Sequence, residues 1–96
     1  MKLLVVVVDE LRQGDVIDLL QRFAITSYSI IPSVFGKGET GAHFGNRTFP
    51  GANAMILALI SPGELDAVTP ALRELHGRLH EEEGLKVIAL DSDLII

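Results

Sequence analysis

The chain has 96 residues, a formal net charge of −5, no cysteine and a hydrophobic share of 48%. That length suits one domain spanning residues 1–96 with a modest core, and an acidic balance without any basic run sets nucleic-acid binding aside. The lack of cysteine excludes disulfides, thiolate metal sites and a cysteine nucleophile, and fits a cytoplasmic protein.

The first apolar run, Leu3 to Val8, reads LLVVVV and stops at Asp9-Glu10. It is too short for a membrane span or a signal-peptide core, so no membrane insertion is expected. Its β-branched content predicts a strand buried on both faces. Val16, Leu19, Leu20 and Phe23 then recur at helical spacing, with Asp15 and Asp18 near the positive end. A second strand is expected from about Ser27 to Phe35. Pro32 has no N–H for a ladder and marks an edge position or a bulge.

Five of the nine glycines, Gly36, Gly38, Gly41, Gly45 and Gly51, fall between Phe35 and Asn53. A loop this long, about 36–53, is uncommon in so small a domain, and such loops usually carry function. Ala54 to Ile60 is the third strand, again apolar at nearly every position. Ser61-Pro62-Gly63-Glu64 is a capping box with proline at the first helical position. Leu65, Val68, Leu72, Leu75 and Leu79 continue at 3-4 spacing through a kink at Pro70, and the helix region ends near Gly84. Leu85 to Leu90 is the fourth strand, and Asp91 to Ile96 forms a tail.

The order βαββαβ predicts an α+β, ferredoxin-like sandwich: a four-stranded antiparallel sheet with two helices on one face. Two helices cover one face only, while the first and third strands are apolar on both. A partner subunit is the simplest cover for the second face.

Gly36-Lys37-Gly38-Glu39-Thr40-Gly41 matches G-x-G-x-x-G, but Ala42 to Pro50 has no apolar stripe and cannot be the helix a Rossmann site requires. What survives is a nest of backbone N–H groups for an anion, with Lys37 or Arg47 adding charge. Phe44, Arg47 and Phe49 suit a docking surface for a partner. Lys86 is either a point charge for an anion or a solvated strand residue. His76 and His80 are four apart, a spacing that places two imidazoles on one metal or simply decorates a helix end. His43 is a lone loop histidine. Glu81-Glu82-Glu83 reads as a solvated turn, or as a rim for cations. No nucleophile or acid–base pair stands out, so enzymatic activity is not expected.

Four segments resemble the PII signalling superfamily, in its PII-like branch. The first strand opens as MKLLVVVV. The second runs into Phe35-Gly36-Lys37-Gly38-Glu39, similar to the G-x-G-R start of that family's T-loop. The loop returns through Phe49-Pro50-Gly51-Ala52-Asn53, and Gly84-Leu85-Lys86-Val87-Ile88-Ala89-Leu90 resembles the G-x-K-I-F-V segment after its B-loop. The resemblance implies a homotrimer with ligand clefts between subunits, each lined by the T-loop base of one chain and the B-loop of another. It implies an adenine nucleotide effector (AMP, cyclic AMP, ADP or ATP) and a loop that docks onto a transporter, enzyme or regulator. By position, Gly36, Lys37, Gly38 and Glu39 would form the T-loop base, and Gly84 and Lys86 the phosphate end. The family's phosphate-clamping arginines have no counterpart in Asp91 to Ile96, and Glu81 to Glu83 would repel a polyphosphate, so AMP or a cyclic form fits better. The CutA family of trimeric divalent-metal binders resembles this architecture too, and the His76/His80 spacing makes it the alternative.

Overall fold

A computed structural model describes residues 1–34, 37–38, 41–42, 53–80 and 83–96. In chain order these form β1 (Lys2–Asp9), a 3-10 turn (Glu10–Arg12), α1 (Gln13–Arg22), β2 (Ser29–Val34), β3 (Lys37–Gly38), β4 (Gly41–Ala42), β5 (Asn53–Ile60), α2 (Pro62–Arg78) and β6 (Leu85–Asp91). The four long strands make one antiparallel sheet in the order β2-β5-β1-β6. This is the split βαβ arrangement of the ferredoxin-like α+β fold expected from the sequence. β3 and β4 form a separate small ladder within the glycine-rich segment.

The period-2 alternation of strands decides what is buried. Leu4, Val6 and Val8 of β1 and Ala54, Ile56, Ala58 and Ile60 of β5 point toward the helices and are almost inaccessible. They pack with Val16, Leu19 and Leu20 of α1 and Val68, Leu72 and Leu75 of α2. Among the described residues this core holds no polar side chain.

The opposite sheet face is also apolar, and the register assembles it. Leu3 lies between Leu59 and Leu90, Val5 between Leu57 and Ile88, Val7 between Met55 and Lys86, and Ile31 faces Met55. Among the described residues of one chain, nothing covers this face. The expectation that the first and third strands are buried on both faces is thus met on one face only: Leu3, Val5 and Val7 stay partly accessible, and Ile31, Ile88 and Leu90 are exposed.

β2 is an edge strand, and its pairing with β5 shifts between Ile31 and Val34, so the proline-bearing strand is both edge and irregular. Ser33 takes a positive φ of 58° in that irregularity. The capping box of α2 forms as its sequence requires. Ser61 Oγ accepts from the Glu64 N–H at 3.1 Å, and Glu64 Oε1 accepts from the Ser61 N–H at 2.9 Å. α2 runs through Pro70 without ending.

The C-terminus of α2 corrects the sequence reading. The helix stops at Arg78, because Leu79 turns extended with φ −80° and ψ 152°, so Gly84 belongs to the approach to β6 and not to the helix. Leu79 remains packed against the core, which accounts for its place in the leucine stripe.

Candidate functional site

β1 and β2 end, and β5 and β6 begin, at the same end of the sheet. The glycine-rich segment and the Glu83-Gly84 approach therefore both leave from that end. They leave from opposite edges, however, since β2 and β6 flank the sheet. With neighbouring strands about 4.8 Å apart, the two edges stand roughly 14 Å apart.

The β6 corner is tightly tied. The Asp9 N–H donates to the Gly84 carbonyl at 3.1 Å, extending the β1–β6 ladder. Asp9 Oδ1 accepts from the Leu11 N–H at 2.9 Å and so caps the 3-10 turn that presents Arg12. Arg12 Nε donates to Glu83 Oε2 at 2.5 Å, and a second guanidinium nitrogen lies 3.5 Å from Glu83 Oε1. Glu83 Oε1 also accepts from the His80 N–H at 3.1 Å. A further arm of Arg12 reaches Asp15 at 3.6 Å. The hydrogen bond from Arg12 holds the Glu83 carboxyl below the usual carboxylate range, and Glu83 in turn raises the Arg12 guanidinium.

Glu83 is therefore not the solvated turn residue its sequence context predicts. Its side chain is 14% exposed, because Arg12 draws it inward. At the other edge, Ser33 Oγ donates to Glu10 Oε2 at 3.3 Å, linking the end of β2 to the same 3-10 turn.

Gly84 sits at this corner, its carbonyl accepting from the Asp9 N–H. Lys86 lies opposite Val7, so its register places it on the open apolar face, away from α2. Lys37 pairs with Ala42, and Gly38 with Gly41, through the backbone. Gly36, Glu39, His43, Phe44, Arg47 and Phe49 lie outside the described residues, as do Glu81 and Glu82.

The histidine pair does not form on one helix. His76 is in the last turn of α2, whereas His80 follows the extended Leu79, so the four-residue spacing no longer stacks two imidazoles on one face. Among the described residues, no group of three or more potential ligands is placed to hold a metal ion. His76 instead borders a groove of about 420 Å³ between α2 and β6, with Leu65, Thr69, Leu72 and Arg73 on the helix and Leu85, Val87 and Ala89 on the strand.

Arg12 escaped the sequence reading. Its partner is 71 residues away, and only the β1–β6 register brings them together. The available signal was local: Asp9 two residues before Leu11, capping a turn that ends in arginine.

A sequence model of the family described as Nitrogen regulatory protein P-II matches residues 1–88. No curated protein matches the chain in sequence. In structure the chain is similar to CPII, a nitrogen regulatory PII-like protein from Thiomonas intermedia K12, bound to ADP, AMP and bicarbonate. The TM-score is 0.74 at 21% identity, over 93% of this chain and 84% of that one. The apo form of CPII gives a TM-score of 0.67 at 17% identity, over 93% and 87%. A protein from Thermus thermophilus described as a PII-like signaling protein gives 0.66 at 17% identity, over 93% and 83%. At these identities the structural likeness carries the fold.

Proposed function

The chain belongs to the P-II family of nitrogen regulatory proteins, and from that premise we propose that it is a trimeric, non-enzymatic signalling protein that binds an adenine nucleotide between its subunits. The observation that carries this reading is the separation of the two half-sites. The loop base leaves the β2 edge and the Glu83-Gly84 approach enters the β6 edge of the same sheet. The two edges stand roughly 14 Å apart, so a small ligand that touches both half-sites is met more simply by two neighbouring chains than by one. The open apolar face of β1, β5 and β6 supplies a reason for the chains to associate.

In this arrangement Gly36, Lys37, Gly38 and Glu39 of one chain meet Gly84 of the next. Lys86 borders the interface from the sheet side. CPII has been seen with ADP, AMP and bicarbonate, and these are the natural first ligands to try. The nucleotide would order the segment 36–53, and the ordered segment, through Phe44, Arg47 and Phe49, would change affinity for a transporter, enzyme or regulator. Such a protein would work in the cytoplasm.

The test is a thermal-shift panel with AMP, cyclic AMP, ADP, ATP, bicarbonate and zinc, alongside light scattering for mass. A ligand at 100 times its dissociation constant stabilises the native state by about 2.7 kcal/mol. A three-chain mass and a selective shift with one adenine nucleotide are expected. A single-chain mass, or a shift with zinc alone, would overturn the reading.

A further inference from the structure

We propose that the Arg12–Glu83 pair is a charge gate at the phosphate end of this site, in which Arg12 takes the ligand phosphate and Glu83 holds Arg12 until then, ranking nucleotides by charge. The proposal rests on the nucleotide-binding reading above and goes beyond it by naming the anion-binding residue and the basis of selectivity.

Three observations meet at this corner. Gly84 carries no charge of its own, so a phosphate arriving beside it must find its cation on a neighbouring side chain. Arg12 is there: it lies against Glu83, the residue immediately before Gly84, and its side chain is 40% exposed and open to solvent-borne ligands. The guanidinium fork that binds a carboxylate is the same geometry that binds a phosphate. A phosphate oxygen can replace a Glu83 oxygen without moving Arg12 far.

The exchange has a cost, and the cost depends on the ligand. Releasing Glu83 leaves a carboxylate whose remaining partner, among the described residues, is the His80 N–H. Asp9, Glu10 and Asp15 stand on or beside the turn that presents Arg12. Each additional phosphate therefore adds negative charge next to an already negative rim. Affinity should fall in the order AMP, ADP, ATP, and Glu83 should set the slope.

The experiment is calorimetric titration of AMP, ADP and ATP into the full chain and into Glu83→Gln and Arg12→Gln variants at one ionic strength. In the wild type AMP binds tightest. Glu83→Gln frees Arg12 and removes one repelling charge, so ATP gains about three- to tenfold and AMP gains least. Arg12→Gln weakens all three. If Arg12→Gln does not fold by circular dichroism, Arg12→Lys keeps the charge without the fork and should weaken all three less severely. Equal shifts of all three nucleotides in Glu83→Gln, or unchanged affinity on altering Arg12, would reduce the pair to a structural tie and overturn the gate while leaving nucleotide binding intact. If no nucleotide binds the wild type or any variant, the binding reading itself fails and the gate with it.

Discussion

Ala24 takes a φ of 59° at the end of α1. Its N–H donates to the Gln21 carbonyl at 3.0 Å, and the Ile25 N–H donates to the Leu20 carbonyl at 2.9 Å. These two bonds make a Schellman motif, and Ile25 and Leu20 are both buried in the same core cluster. The left-handed position costs an alanine about 1–2 kcal/mol that glycine escapes. Ala24→Gly should therefore raise the thermal midpoint, by several degrees for a gain of about 1 kcal/mol in a chain this small. A midpoint that falls would mean the turn is held by something other than backbone conformation.

A second residue-scale prediction concerns Glu83. Arg12 holds its pKa below the ordinary glutamate value of about 4.3. The folded state then binds this proton more weakly than the unfolded state. The contribution is fully present above the unfolded value and is lost as pH falls through the folded one. The gap in thermal midpoint between wild type and Glu83→Gln should be widest near neutral pH, narrow once pH falls below the ordinary glutamate value, and close only below the depressed folded value. Other carboxylates, including Asp91 beside Lys2, titrate in both proteins and cancel in the difference. A gap independent of pH would show that the variant acts through packing.

At the scale of elements, the capping box of α2 sets where that helix starts. Ser61→Ala removes the acceptor for the Glu64 N–H and should cost about 1 kcal/mol, or roughly 4–8 °C in thermal midpoint. Threonine at the same position should restore most of it, since it keeps the acceptor. This helix start was legible in the sequence because every group involved lies within four residues. The order of elements along the chain was legible from period and punctuation, and the edge or bulge position of β2 from Pro32, which has no donor. The other end of α2 was not legible. Leu79 keeps the 3-4 spacing of the stripe yet sits in an extended conformation, so apolar periodicity ran past the helix and carried His80 with it. The site was legible only in its local parts. The turn cap at Asp9 is local, but the Arg12–Glu83 tie depends on pairing two strands at opposite ends of the chain, which no local pattern contains.

At the scale of the whole molecule, the open sheet face decides whether the proposed assembly exists. Leu3, Val5, Val7, Met55, Leu57, Leu59, Ile88 and Leu90 share this face by register, and Lys86 is the charged residue among them. Burying a Val or Leu side chain in an interface contributes about 1.5–3 kcal/mol before the costs of association. Val5 stands near the middle, between Leu57 and Ile88. An aspartate there would be sealed in a low-dielectric interface without a partner, which costs several kcal/mol. In a free chain the same aspartate would face water, because the core residues Leu4 and Val6 point to the other side of the sheet. Val5→Asp should therefore convert a three-chain particle into single chains by light scattering while keeping the helical circular dichroism of the wild type. It should also abolish the adenine-nucleotide thermal shift, since the two half-sites would no longer meet. A variant that stays trimeric would move the interface off this face, and a monomeric variant that still binds nucleotide would place the site within one chain.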